Sequence, residues 1–346
     1  MYLHIRTIYV CEIKRTTKVI SVQQIKFAER MLASQCWRIS QLLRLRNIAQ
    51  VSRMGLNTEV VFSHLQPAST PLVMDLTLGA GDTSRSLLSE SENLRVIAVD
   101  CDPDSRDTMR KLEFDFGERI SSYLTRWSGL PEIMRAEGEA ETCDAIVMEL
   151  GPSRIQKENV KRGFDIYKDG DLDKRYDQAG VNCAQVIKFT DVDNLRKILR
   201  YYGGVIKAKN IASELVERRY MLQEISTIAH LNQVLSQIHR QDPFWNERGP
   251  ESIDDNIQHV HLALRMFTND EINELQFSIK MAELVLKEGG ILVLDAKSEH
   301  EREIATKFLF RKAGNSGQST SEKSIQLKNL WENEYSDGST IVFRKL

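Results

Sequence analysis

The chain reads Leu72-Val-Met-Asp75-Leu-Thr-Leu-Gly79-Ala-Gly81-Asp82-Thr83-Ser84 and, after a run of helical spacing, Val96-Ile-Ala-Val-Asp100-Cys-Asp102. A short apolar strand ends in an acid, a glycine-bearing turn follows, a helix begins near Thr83, and a second apolar strand ends in Asp100. Glycine at positions 79 and 81 lets the chain turn sharply and brings its backbone close to a ligand. An acid closing the second strand is placed to accept hydrogen bonds from two ribose hydroxyls. The unit therefore suits an adenosine-containing cofactor bound across the carboxyl ends of parallel strands. The same spacing also fits an ordinary strand-turn-helix with incidental glycines.

The residue types discriminate between cofactors. A dinucleotide fingerprint needs a third glycine and a pyrophosphate on the helix N-terminus. Here Ser84 holds the third position, and Asp82 puts negative charge where a pyrophosphate would sit. S-adenosylmethionine has no phosphate and carries a sulfonium and an ammonium, so an acidic loop suits it. The D-x-x-x-G-x-G spacing from Asp75 to Gly81 is a common opening of methyltransferases that use it.

Outward from this unit, strand-helix alternation continues. Helices are expected over Pro103–Phe114 and Pro131–Glu137, with strands at Ile120–Leu124 and Asp144–Glu149. The alternation then stops. A loop-like stretch at Lys157–Gly180 opens a polar region with helices expected at Leu195–Tyr202, Lys209–Tyr220 and Met221–Ile238, and a loop at Gln241–Asn256. Alternation returns with a long helix over Asn269–Lys287, a strand at Ile291–Asp295 and a helix at Glu299–Arg311. A loop at Ala313–Glu322 and strands at Ser324–Leu330 and Ser339–Arg344 follow. The expected fold class is α/β: a Rossmann-like sheet (55–150 and 268–346) interrupted after its fourth strand by a helical insert (151–267).

Composition narrows the classes. The 346 residues suffice for a sizeable core. No apolar run approaches the roughly 18 residues that would span a bilayer, so no membrane partner is expected. The five cysteines are odd in number and lack a C-x-x-C pair, which suggests a reducing compartment and no structural metal. The net charge of -2 conceals an asymmetry: residues 1–55 hold ten basic side chains against Glu12 and Glu29. That Arg-rich, acid-poor composition is expected of a mitochondrial presequence over residues 1–54 and hence a matrix location, while a basic surface helix is the alternative.

The next signal follows the fourth strand: Glu149-Leu-Gly-Pro-Ser153-Arg-Ile-Gln156, then Lys161-Arg-Gly-Phe164, then Asp169-Gly-Asp-Leu172-Asp173-Lys-Arg175-Tyr-Asp177. In one unbroken register these residues resemble the MraW-type cytosine-N4 methyltransferases of small-subunit ribosomal RNA, including their mitochondrial branch. That family carries D-L-G-x-S-S-x-Q, E-R-G-F and D-G-P-L-D-M-R-M-D. The similarity continues more faintly through Tyr202-Gly203, Leu264-Arg265 and Asn269-Asp-Glu271, covering roughly Leu56 to Phe310.

The resemblance implies S-adenosyl-L-methionine as cofactor, held by Gly79, Gly81, Asp82, Thr83, Asp100, Trp127, Glu149 and Gln156. It implies catalytic roles for Glu149 and Ser153, small-subunit ribosomal RNA as substrate, and RNA or substrate recognition by the helical insert at 151–267. Glu149 stands in place of an Asp, and Trp127 in place of a Phe near the adenine. Phe164 and Tyr167, beside Lys161, Arg162 and Arg175, are candidates for base stacking and phosphate contacts. Two departures motivate a second reading, a ribosome-assembly factor with little or no transferase activity. Gly81-Asp82-Thr83 replaces Gly-Gly-His, and Ala296-Lys-Ser-Glu-His-Glu-Arg302 replaces S-F-H-S-L-E-D, with only Glu301 matching.

Overall fold

The computed structural model describes residues 56–137, 142–221, 224–309, 331–337 and 339–346. The segment expected to be a presequence, the loop at Ala313–Glu322 and the strand expected at Ser324–Leu330 lie outside them.

Seven strands form one sheet in the order β3-β2-β1-β4-β5-β7-β6. They are β1 (Leu72–Asp75), β2 (Arg95–Asp100), β3 (Ile120–Leu124), β4 (Cys143–Leu150), β5 (Leu286–Ala296), β6 (Trp331–Asp337) and β7 (Thr340–Lys345). The first five are parallel, and β7 runs antiparallel to both β5 and β6. This is a Rossmann-like methyltransferase fold.

The continuous apolar runs behave as buried parallel strands do, with both faces covered and successive side chains alternating between them. Leu72 and Met74 of β1 join one hydrophobic cluster with α4 (Leu130–Glu137), α12 (Glu271–Val285) and α13 (Glu299–Leu309). Val73 joins the opposite cluster with α1 (Thr58–His64), α2 (Asp82–Glu90) and α3 (Arg106–Phe116).

The chain leaves the sheet after β4 and returns through α12. Between them come α5 (Arg154–Glu158), α6 (Cys183–Phe189), α7 (Val192–Gly203), α8 (Ala208–Tyr220), α9 (Ile228–Gln241), α10 (Pro243–Asn246) and α11 (Gly249–Thr268). A third apolar cluster, from Leu172 to Leu264, is drawn wholly from these residues.

Three expectations in this region need correction. The loop expected at Gln241–Asn256 is largely helical: Pro250 sits in the first turn of α11, where its missing N–H costs nothing. Ile257, Val260 and Leu264 then carry the buried face. Helix α9 starts at Ile228 rather than Met221, because the Thr227 side chain caps it by accepting from His230 N. Helix α6 was not expected at all, although Asn182 and Gln185 form a reciprocal capping box there.

Candidate active site

The strand order reverses between β1 and β4, and the loop after β1 shows the divergence directly. Leu76 N donates to Val147 O of β4 at 3.0 Å, and two residues later Leu78 N donates to Val99 O of β2 at 3.0 Å. Such a switch point opens a crevice outside the carboxyl ends of the strands. Gly81 caps α2 at φ +80, and a Cβ there would stand 2.7 Å from Thr108 Cγ2. Both conformation and space require glycine.

Three carboxylates line this edge: Asp75 ends β1, Asp100 ends β2, and Glu149 lies near the end of β4. Asp100 Oδ2 accepts from Gly79 N at 2.7 Å and Oδ1 from Asp102 N at 2.8 Å, so the carboxylate fixes the glycine turn. Glu149 Oε1 accepts from Thr83 Oγ1 at 2.7 Å and Leu56 N at 3.2 Å, and Glu149 N donates to Thr77 Oγ1 at 2.8 Å. Asp75 is buried beneath them, accepting from Ser84 Oγ at 2.6 Å and Thr77 N at 3.0 Å. Among the described residues none of the three forms an ion pair with a Lys or Arg. An uncompensated acidic edge beside a glycine turn fits a ligand that brings its own positive charge. S-adenosylmethionine fits that description, and the half-buried Trp127 lies near the same strand ends. Trp127 is oriented by a 2.6 Å hydrogen bond from its Nε1 to Leu76 O.

Burial pushes the Asp75 carboxyl up to about 7, with Glu149 and Asp100 adding to the shift and the Ser84 and Thr77 hydrogen bonds opposing it. A carboxyl whose pKa is raised by folding stabilises the fold at low pH. That stabilisation fades as pH rises from about 4 through about 7. Asp75→Asn is therefore expected to flatten the pH dependence of Tm between about pH 5 and pH 8. Thermal unfolding at the two pH values measures this, and a slope equal to the parent's would exclude Asp75 as its source.

The candidate residues after β4 are engaged within the fold. Ser153 caps α5 in a capping box: its Oγ accepts from Gln156 N, and Gln156 Oε1 accepts from Ser153 N. Its Cβ also lies 2.9 Å from where a Cβ on Gly79 would be, so the cap abuts the glycine turn. The Gln156 side chain is buried, and its Nε2 donates to Asp102 Oδ2 at 2.8 Å. Asp82, in the first turn of α2, faces Arg154 at 3.2 Å.

Arg162, Phe164 and Arg175 need correction as exposed RNA contacts. Arg162 is 6% exposed and forks onto Asp102 at 2.9 and 3.1 Å and Asp104 at 2.6 Å. It also donates to the carbonyls of Arg175 and Tyr176 at 2.8 and 2.9 Å. Phe164 is buried, stacked on Tyr176 at 5.4 Å with the Arg162 guanidinium over its ring. Arg175 is turned back onto Asp173 and the Gly180 carbonyl. Of the four RNA candidates only Lys161 is exposed and without an ion pair among the described residues.

One cluster escaped the sequence reading as a unit. Arg265 pairs with Glu271 at 2.8 and 2.9 Å and with the buried Glu301. These are three of the scattered positions at which the later chain resembles the family. Arg265 holds the Glu301 carboxyl below its usual range despite burial, and its guanidinium lies beside Gly151 at the end of β4.

With this geometry in view, comparison with known proteins is decisive. A sequence model of the MraW methylase family matches residues 55–330. The chain belongs to that family.

Among MraW methylase relatives, ribosomal RNA small subunit methyltransferase H of Rhodospirillum rubrum is 34% identical over 256 residues, 74% of this chain and 75% of that one. Its counterpart in Methylobacterium nodulans is 31% identical over 243 residues, 70% and 69% of the two chains. Among solved structures, an rRNA methylase from Streptococcus thermophilus aligns with a TM-score of 0.36 at 10% identity, covering 84% of this chain and 99% of that one. That likeness is slight, and the fold stands on the chain's own sheet order.

Proposed function

We propose that the chain is an S-adenosylmethionine-dependent methyltransferase acting on the N4 amine of a cytosine in small-subunit ribosomal RNA, in mitochondria. The observation that carries the reading is the pair of carboxylates without a cationic partner among the described residues, Asp100 and Glu149, at the switch point of an MraW-family sheet. The relatives' names supply the substrate class.

The cofactor supplies an electrophilic methyl group on a sulfonium; the protein has to position and polarise the acceptor. A cytosine amine is a weak nucleophile because its lone pair is delocalised into the ring. Glu149 Oε1 is held by Thr83 and Leu56, which leaves Oε2 to accept an N–H of the amine. That acceptor favours the pyramidal nitrogen of the transition state over the planar ground state. As the nitrogen gains the methyl, the methyl's bond to sulfur would break to leave a neutral thioether, and the surplus proton on nitrogen would pass to solvent by way of the Glu149 carboxylate. Arg265, paired with Glu271 and Glu301, lies beside Gly151 at the same strand end.

The test is mass spectrometry of nuclease fragments from mitochondrial small-subunit RNA of cells lacking the protein. One cytosine should lose its N4-methyl, and re-expression of the parent but not of Glu149→Ala should restore it. The second reading, an assembly factor, is motivated by the altered Gly81–Thr83 and Ala296–Arg302 segments, the latter matching the family only at Glu301. A methyl that persists while ribosome assembly fails would select it. The location rests on the basic composition of residues 1–54. A fluorescent protein fused to that segment should enter mitochondria, and a diffuse cytosolic signal would remove the organellar part alone.

A further inference from the structure

The helical insert carries a groove of about 510 Å³ between the end of α6, the outer side of α7 and the end of α11. Its walls are aromatic. Phe189 is 73% exposed and Tyr201 63%, with Tyr202 and Phe267 beside them. Tyr202 stands edge-on to Tyr201 at 5.1 Å and to Phe267 at 5.6 Å, so the ring group is fixed. Single exposed apolar residues are ordinary, but several rings converging on one groove are not.

The charge around the groove is selective. Lys197 lines it, and Arg200 lies one turn further along α7. Neither forms an ion pair among the described residues. The acid at the groove, Asp191, is already engaged as the N-cap of α7, accepting from Asn194 N and from the Asn194 amide. Aromatic faces with unpaired cations suit nucleobases and phosphates, whereas a protein helix would need aliphatic holes.

The groove is also tied to the catalytic body. Two residues beyond Phe267, Asn269 accepts from Arg126 Nη1 through its carbonyl at 3.0 Å and from Tyr176 N through Oδ1 at 2.6 Å. An RNA that presents a base to the carboxyl edge of the sheet must have unstacked neighbours, and those need faces to stack on.

We infer that the Phe189–Tyr201–Tyr202–Phe267 groove, with Lys197 at its edge, is a stacking platform for unpaired nucleotides of the RNA substrate. The inference rests on the ribosomal-RNA reading above. Fluorescence anisotropy of a short 5′-fluorescein oligouridine, titrated with the full chain at several salt concentrations, tests it. Phe189→Ala and Tyr201→Ala should each weaken binding about fivefold or more. Lys197→Gln should reduce the salt slope by about 0.7. S-adenosylmethionine affinity and Tm should stay at the parent's values, since the two rings are exposed. A Phe189/Tyr201 double variant that binds oligouridine like the parent overturns the platform. If that variant instead loses self-association, the groove belongs to a second copy of the chain. If the platform binds RNA while mitochondrial cytosine methylation is unaffected by loss of the protein, the platform stands and the substrate reading falls.

Discussion

Replacing Arg162 with alanine is expected to cost about 3–5 kcal/mol of stability, because it strands a buried carboxylate without its partner. Asp102 is 2% exposed and lies 60 residues away in sequence, and the Arg162 guanidinium is its counter-charge. The same guanidinium holds the carbonyls of Arg175 and Tyr176, so its loss also frees that segment. Urea denaturation of the purified chain measures the effect. Arg162→Lys should recover part of the loss, since an ammonium keeps the charge but not the planar fork. Lys161→Ala, one residue earlier and exposed, should stay within about 0.5 kcal/mol of the parent. Equal urea midpoints for Arg162→Ala and the parent would show that the loop is held by something else.

Asp100→Ala is expected to weaken S-adenosylmethionine binding about tenfold or more. Charge-assisted hydrogen bonds to ribose are worth about 1.5–3 kcal/mol each, and about 1.4 kcal/mol is a factor of ten in affinity. Part of the loss is indirect, because Gly79 N would lose the acceptor that fixes the glycine turn. Asp100→Asn is the milder change: its carbonyl oxygen can still serve Gly79 N, while the charge and the second acceptor, now used by Asp102 N, are lost. Calorimetric titration with S-adenosylmethionine should rank parent, Asn and Ala in that order. An alanine variant that keeps its circular dichroism and its affinity would take Asp100 out of the site.

The two substitutions also mark where sequence alone could and could not see. Asp100 and Glu149 were legible because they close apolar runs, and a run buried on both faces can end only where water or a ligand begins. Arg162 was not. A basic residue in a polar loop reads the same whether it meets solvent or a carboxylate far away in sequence, and only the folded chain tells the two apart. The Ser153-x-x-Gln156 and Asn182-x-x-Gln185 spacings were visible capping signals. The first lies in a segment dominated by polar, chemistry-bearing residues and the second in one without strong periodicity. Helix α11 was hidden by its own beginning, where Gly249-Pro250 looks like a turn and the apolar spacing starts only at Ile253. The strands β1, β2 and β4, by contrast, are mostly buried, whereas β3 at the sheet edge buries only Ile120 and Tyr123.

The departure of the chain from the sheet after β4 has a consequence for how the protein is made. Strand β4 pairs with β5, yet residues 151–285 separate them. During synthesis β1 to β4 leave the ribosome with one edge of β4 bare, and at about 5–20 residues per second that edge waits for several seconds or more. An open apolar strand edge is a template for pairing with another chain. The insert carries its own apolar cluster, so it can collapse while the edge waits and bring the two ends of the gap together. The entropy of closing the gap then grows with the distance between two helix ends rather than with the full length of free chain. Substitutions in that distant cluster, such as at Leu231 or Leu264, should therefore show their damage first as aggregation of newly made chains rather than as a slower reaction.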